Sequence, residues 1–236
     1  MRPLLNKKTS IQLTNNQGFT LIEILVALVL IALVLAISIS NPLSSRDDLE
    51  KDVNGIERAI RFMSDEAVLK NAVIRLHLIL EGEAHQYAVE YGPSDSFILP
   101  PVVELVTQSE TKEEEKQRAQ DTKNLNMKFN KVIEFQEKNN ELNSNIKIIG
   151  VGTPHSDKLQ SSGEVSIYAF PSGEKDAAII LIASDEDIMA LKIDPFRSKI
   201  ARETTPLGKG IGSEKELTEI QLKKAQEIFE KWKKEN

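Results

Sequence analysis

A hexapeptide near the N-terminus, Gly18-Phe19-Thr20-Leu21-Ile22-Glu23, opens the longest apolar run of the chain. The run extends from Phe19 to Ile39 without glycine or proline, and Glu23 is its one ionisable residue. As an α-helix it would be about 31 Å long, which matches the hydrocarbon core of a bilayer. A carboxylate costs about 2.5–3.5 kcal/mol at the centre of a membrane helix and less near its end. We therefore predict a membrane-inserted helix in which Glu23 has a function.

The position of Gly18 separates this segment from a secretory signal peptide, in which the small cleavage residue follows the apolar run. Two alternatives stay open. The run could be an ordinary single-pass anchor, or a signal peptide cleaved after Ala36-Ile37-Ser38. The second is weaker, because about 20 apolar residues is long for the core of a signal peptide.

The hexapeptide and its position resemble the type IV prepilin signature, which pilins share with the pseudopilins of type II secretion. The resemblance implies that a prepilin peptidase cuts after Gly18 and N-methylates Phe19. The cut creates an amine on Phe19 in the same membrane layer as Glu23. Because neither ion is stable alone in lipid, a neighbouring helix would supply the missing partner. Glu23 is thus expected to be the assembly contact between subunits.

The charge distribution predicts the topology. The leader, residues 1–18, carries Arg2, Lys7 and Lys8 and no acidic residue, which places the N-terminus in the cytoplasm. We expect a single-pass inner-membrane protein whose C-terminal domain lies in the periplasm. The chain has a net charge of −6, and without the leader 27 basic residues face 36 acidic ones, a charge of −9. An acidic exported domain is not expected to bind nucleic acid.

An amphipathic helix is predicted after Asn41-Pro42, where proline interrupts the first helix. Apolar residues then recur at steps of three and four: Leu49, Val53, Ile56, Ile60, Met63 and Ala67. This spacing places them in one narrow stripe. We expect the stripe to pack on a sheet of the same domain, with a coiled coil as the alternative.

Segments rich in β-branched residues predict an antiparallel sheet. Residues 73–80 and 86–91 flank a turn and predict a hairpin. Four later segments, 146–151, 165–170, 177–183 and 188–193, predict an antiparallel meander. The expected fold is α+β and pilin-like: a long N-terminal helix, half in the membrane and half amphipathic, packed on an antiparallel β-sheet.

Residues 104–145 form a charged insertion with nine acidic and seven basic residues. Phe97-Ile98-Leu99, ahead of it, is a possible short strand. The capping-box spacing from Thr111 to Glu114 predicts a helix that starts near Lys112. We interpret the insertion as a mobile surface excursion, with a contact arm for a neighbouring subunit as the alternative.

The C-terminal tail, residues 201–236, is predicted to be a linker and an amphipathic helix. The glycines between Gly208 and Gly212 lack the spacing of a phosphate-binding loop. A second capping box begins at Ser213 and opens a helix whose apolar face carries Leu217, Ile220, Ala225, Ile228 and Trp232. This helix either packs on its own domain or docks a partner through Trp232.

Neither a metal site, a cofactor nor a catalytic centre is expected. The absence of cysteine excludes disulfides and thiolate ligands. His77 and His85 lie on the predicted hairpin, whereas His155 lies far along the chain, so no third ligand is at hand. The chain has no nucleophile-elbow motif, which argues against an enzyme.

Two motifs refine the resemblance. The first motif is Phe170-Pro171-Ser172-Gly173, and the second, after two apolar strands, is Asp194-Pro195-Phe196. Together they resemble the C-terminal half of the minor pseudopilin H family of type II secretion. The chain departs from that pattern where proline follows Phe170 directly and where Arg197-Ser198 replaces a glycine turn. The helix-to-strand junction at residues 66–76 resembles the same family.

The resemblance implies a minor pseudopilin, a structural subunit of a periplasmic pseudopilus. Its expected partners are other major and minor pseudopilins, the prepilin peptidase, the inner-membrane secretion platform and the lipid bilayer. The alternative is a minor pilin of a type IV pilus that acts in pilus assembly or DNA uptake. The expected regions are the leader 1–18, a polymerisation helix 19–40, an amphipathic helix 41–72, a β domain 73–200 and the tail 201–236.

Overall fold

A computed structural model describes residues 20–39, 42–82, 84–93, 112–135, 140–208 and 213–235. The chain divides into two compact units, Met1–Asn41 and Pro42–Asn236. The elements in chain order are α1 (Leu21–Ile39), α2 (Pro42–Lys70), β1 (Ile74–Ile79), β2 (Gln86–Tyr91), α3 (Lys112–Asn126), β3 (Asn130–Lys131), β4 (Lys147–Gly152), β5 (Glu164–Ala169), β6 (Ala178–Ala183), β7 (Asp187–Ile193), β8 (Ala201–Pro206) and α4 (Glu214–Glu235). The described residues thus form an α+β fold with antiparallel sheets, as the sequence predicts.

Helix α2 is the core element of the second unit. Pro42 occupies its first position, where the missing N–H is not needed. All six residues of the predicted stripe are fully buried: Leu49, Val53, Ile56, Ile60, Met63 and Ala67. They form one core with residues of the sheets, which confirms packing within the domain over a coiled coil. The helix ends at Asn71, whose φ of 51° allows Ala72 to donate its N–H back to Ala67 O at 3.2 Å.

The predicted hairpin is confirmed, but the single meander is wrong. β1 pairs with both β2 and β5, and the strands form two four-stranded sheets, with the orders β3-β2-β1-β5 and β4-β6-β7-β8. We call them the first and the second sheet. β4 and β5 are consecutive in the chain but belong to different sheets. Hydrophobic periodicity identifies a strand, but it does not determine which neighbour the strand pairs with.

Strand β6 of the second sheet is buried on both faces. Ile180 and Ile182 of β6 belong to the core around α2. The alternate residues Ile179 and Leu181 belong to a second core under α4. Successive side chains of a strand point to opposite faces, so a strand between two helices must be apolar throughout. This accounts for the uninterrupted apolar sequence of β6.

The linker predicted from residue 201 begins instead with strand β8. It pairs with β7 along its whole length and forms an edge of the second sheet. The polar sequence of this edge strand lacks the apolar alternation that would have identified it. Arg202 of β8 forms an ion pair with Glu57 of α2, which Arg61 also contacts. Burial raises the pKa of Glu57, but hydrogen bonds from Arg202 and Arg61 outweigh it and hold the pKa below its usual value.

The charged insertion contains both the predicted helix and part of the core. Helix α3 starts at Lys112, as the capping box predicts. The residues after it are not a mobile surface excursion, because four of them are buried: Phe129, Val132, Phe135 and Leu142. β3 within this segment is an edge of the first sheet. The possible strand at Phe97-Ile98-Leu99 lies outside the described residues.

The C-terminal helix packs on its own unit, which decides between the two predicted arrangements. Ser213 caps it by accepting the N–H of Glu216 at 3.3 Å. Ala225, Phe229 and Trp232 are buried against the second sheet, and Trp232 is only 2% exposed. Phe229, which sequence analysis did not place on the apolar face, is fully buried.

Candidate functional site at the start of the N-terminal helix

Thr20 caps the helix that carries Glu23. The N–H of Glu23 donates to Thr20 O at 3.0 Å and approaches Thr20 Oγ1 at 3.3 Å, and the N–H of Ile24 donates to Thr20 O at 3.2 Å. Thr20 and Glu23 thus have the spacing of a capping box, a signal that our sequence analysis did not use here. The cap determines where the helix begins and places Glu23 in its first turn, where the helix dipole favours a negative charge.

Gly18 and Phe19 lie outside the described residues. Cleavage after Gly18 and methylation of Phe19 therefore stay predictions, and so does the assembly role of Glu23. The structure places the Glu23 side chain in an exposed position two residues after the start of α1.

The apolar side chains at the start of α1 are exposed. Nine large ones are at least half exposed: Leu21, Ile22, Ile24, Leu25, Val26, Leu28, Val29, Leu30 and Ile31. A contiguous apolar surface of this kind indicates contact with another protein or with a membrane. Across the described ranges, the structure contains no helix long and apolar enough to cross a membrane. The predicted crossing therefore stays a prediction.

The two hairpin histidines have protein partners. His77 Nδ1 lies 3.0 Å from Ser166 Oγ, and His77 Nε2 lies 3.5 Å from Glu164. His85 Nδ1 accepts the N–H of Ile148 at 3.0 Å. Burial lowers the pKa of both imidazoles. Within the part of the chain that the structure describes, no three potential ligand residues cluster as a metal site would need.

A buried arginine organises the outer face of the first sheet. Arg75 of β1 is 1% exposed and pairs with Glu90 of β2 through Nε at 2.8 Å. Its NH1 donates to Asn126 at the end of α3 at 2.8 Å, and its guanidinium lies 4.0 Å above the Phe129 ring. The sequence analysis did not identify these contacts of Arg75. The alternation of Arg75 and His77 with apolar residues along β1 could have indicated polar side chains on one face of the strand.

The two motifs that resemble the pseudopilin H family meet in space. The turn at Phe170 to Gly173 closes through the Gly173 N–H to Phe170 O at 2.9 Å, with Gly173 at a φ of 88°. Lys175, after this turn, donates its backbone N–H to Pro195 O and its Nζ to Arg197 O. Asp194 accepts the N–H groups of Phe196 and Arg197, both at 3.0 Å, and these bonds lower the pKa of its carboxyl.

Comparison with protein families supports the interpretation of the N-terminus. Residues 13–39 match the family model described as the prokaryotic N-terminal methylation motif. The match includes Gly18, Phe19 and Glu23, and it confirms the prepilin-like signature expected from the hexapeptide. The match therefore indicates a type IV pilin-like N-terminus. No significant similarity to a curated protein or to a solved structure was found.

Proposed function

We propose that this protein is a minor pseudopilin, a structural subunit of the periplasmic pseudopilus of a type II secretion system. The methylation motif at residues 13–39 is the observation that carries the proposal. In this role a prepilin peptidase cleaves after Gly18 and methylates the new N-terminus at Phe19. The protein itself is not an enzyme and uses no cofactor.

The exposed apolar surface of α1 supports polymerisation as the activity. Its large apolar side chains from Leu21 to Ile31 are exposed, and lipid or the helices of other subunits would cover them. The amine of Phe19 and the carboxylate of Glu23 would be four residues apart in the mature chain. A neighbour shifted lengthwise by their separation would place its amine against this carboxylate. Both charges would then be neutralised as the subunits assemble.

The second unit supports a pilin-like fold. α2 is held by antiparallel sheets, and the continuous apolar sequence from Phe19 precedes it. We assign the pseudopilin subfamily from the two motifs that begin at Phe170 and Asp194, because the fold brings them together at Lys175. The proposed partners are other pseudopilins, the prepilin peptidase, the inner-membrane secretion platform and the lipid bilayer. The net charge of −9 without the leader argues against nucleic acid as a partner.

The N-terminus of the mature protein tests processing. The full-length chain is expressed with and without a prepilin peptidase, and the N-terminus is determined by mass spectrometry. We expect a protein that begins with N-methylated Phe19 when the peptidase is present. The Gly18→Ala variant should stay uncut, whereas Gln17→Ala serves as a matched control and should be processed normally. A mature protein that begins elsewhere, or cleavage of Gly18→Ala at the same bond, would overturn the proposal.

Deletion of the gene in its own cell separates the two filament systems. A pseudopilin is required for secretion of folded proteins into the medium, and its loss should leave surface pili intact. If secretion is unchanged and surface pili or DNA uptake are lost, the protein is a minor pilin of a type IV pilus instead. Complementation with the intact gene controls for effects on neighbouring genes.

A further inference from the structure

Among the described side chains of helix α3, those at its C-terminal end make the contacts with the first sheet. Every described side chain of α3 from Lys116 to Asn124 is exposed. Leu125 packs on the small apolar cluster that contains Phe129, Val73 and Tyr168. Asn126 makes the polar contacts: its Oδ1 accepts from Arg75 at 2.8 Å, and its Nδ2 donates to Glu164 at 2.7 Å.

The Asn126 side chain bonds two residues that flank His77. In the register of β1 and β5, His77 is opposite Ser166, Arg75 is opposite Tyr168, and Glu164 is opposite Ile79. On the face that carries His77, Arg75 is two residues before it on β1, and Glu164 is two residues before Ser166 on the neighbouring β5. Because the strands are antiparallel, Arg75 and Glu164 lie on opposite sides of His77 along the strand direction. Asn126 therefore bonds the residues on both sides of His77, and its acceptor, Glu164 Oε2, also lies 3.5 Å from His77 Nε2.

Charged groups from each neighbouring element face this ring. β1 contributes Arg75, and β3 contributes Lys131. β2 contributes Glu90, and β5 contributes Glu164, whose carboxylate lies 3.5 Å from His77 Nε2. From α3, Lys123 lines the same cleft as Glu164 and Asn126. Burial, then Arg75, lower the pKa of His77, and together with Lys131 they outweigh the opposing effect of Glu90 and Glu164.

We propose that Asn126 and His77 form a proton-operated latch, in which protonation of His77 releases the end of α3 from the first sheet. The ring takes one proton from water and becomes a cation beside the buried guanidinium of Arg75. As a cation the ring can donate to Glu164 Oε2, the oxygen that Asn126 Nδ2 holds in the closed state, so the two donors compete for it. Because the Asn126 contact disfavours protonation, protonation must disfavour the Asn126 contact by the same free energy. The inference does not depend on the proposed assembly function.

Distance measurements between two spin labels test the latch. The chain contains no cysteine, so Gln120→Cys and Ser162→Cys give two unique labelling sites on exposed residues of α3 and of the loop before β5. The distance distribution is recorded on the full-length chain at about pH 8 and about pH 5, which bracket the ordinary pKa of histidine. We expect a narrow distribution at the higher pH and a broad one, shifted to longer distances, at the lower pH.

Four variants make the test specific. His77→Gln should keep the narrow distribution at both pH values, and His77→Asn provides a second neutral variant. His85→Gln should keep the transition, and Asn126→Ala should give the broad distribution at both pH values. Trp232 of α4 packs against the second sheet, so its unchanged emission shows that this part of the fold is intact. A distribution that does not change with pH, or a transition that persists in both His77 variants, would overturn the proposal.

Discussion

Glu23 is the one ionisable residue within the apolar run, and its assigned role is electrostatic. If it pairs with the amine of a neighbouring subunit, replacing it removes an attraction that operates in a low-dielectric environment. We expect Glu23→Val to insert into the membrane and to be processed, but to lose assembly. Secretion by a complemented deletion strain measures this. Glu23→Asp, which retains the charge, should restore part of the activity, and normal secretion by Glu23→Val would contradict the role.

Arg75 and Glu90 form a buried ion pair, and the stability of the protein depends on both partners being present. Arg75 is almost fully buried, so replacing Glu90 by a neutral residue leaves an uncompensated positive charge inside the protein. We expect Glu90→Gln to lower the free energy of unfolding by about 3–5 kcal/mol. Urea denaturation followed by Trp232 emission gives this value.

Two controls isolate the pair. Glu174→Gln removes an exposed carboxylate and should change stability by less than about 0.5 kcal/mol. The double variant Arg75→Met/Glu90→Leu removes both charges together and should be much less destabilised than Glu90→Gln. Equal losses in the single and the double variant would show that the buried charge is not the cause.

At the scale of elements, α4 docks where a strand has no side chain. A Cβ on Gly152 of β4 would lie 2.5 Å from Cε2 and 2.9 Å from Cδ2 of Phe229. Glycine at this position therefore lets the helix approach the sheet. We expect Gly152→Ala to push α4 outward, to cost about 1–3 kcal/mol, and to shift the Trp232 emission to longer wavelength.

A double-mutant cycle tests this contact. Phe229→Ala should by itself cost about 3–5 kcal/mol, because it leaves a cavity under the helix. With the ring removed, Gly152→Ala should cost clearly less than in the parent protein. Additive losses would mean that the added methyl group of Gly152→Ala destabilises the protein through some contact other than Phe229.

At the scale of the whole second unit, His85 links the two sheets. It lies in the turn of the hairpin in the first sheet, and its Nδ1 accepts the N–H of Ile148 in the second. Its backbone carbonyl also accepts the N–H of Leu142 from the insertion. Burial, then the nearby Lys147, lower the pKa of His85 below 6.5. A proton on Nδ1 would remove the acceptor for Ile148.

The sign of the pH dependence follows from this. Between the folded pKa and about 6.5, the unfolded chain binds more protons than the folded one, so the free energy of unfolding increases with pH. We expect the contribution of neutral His85 to the free energy of unfolding to be complete above about pH 6.5 and to be lost as the pH falls through the pKa of the folded state. Chemical denaturation at several pH values measures it. The pKa of His77 is also lowered, so His77 contributes to the pH dependence with the same sign. His85→Gln should therefore reduce the slope of the free energy of unfolding against pH, and His77→Gln/His85→Gln should reduce it further. A slope unchanged in the double variant would contradict this assignment.

Elements with a strong local signal were predictable. The stripe of α2 follows from helical spacing, and the start of α3 at Lys112 and the Ser213 cap follow from capping-box spacing, because each depends on residues within one or two turns. β8 was missed because a polar edge strand derives its structure from β7 and from the Arg202 pair with Glu57, neither of which leaves a local pattern. The buried Arg75 was missed for the same reason, because Asn126 is 51 residues away from it.

The sequence by itself determined the N-terminal motif, the existence of most helices and strands, and the apolar face of each helix. These properties depend on periodicity and on short-range hydrogen bonds, which neighbouring residues specify. Only the tertiary structure decided that β5 leaves β4 for the first sheet, that α4 covers the second sheet, and that Asn126 bonds both Arg75 and Glu164. Each of these depends on which elements, distant in the sequence, bury their apolar surfaces against each other. The free energy of that burial depends on pairs of elements and cannot be read from any one segment.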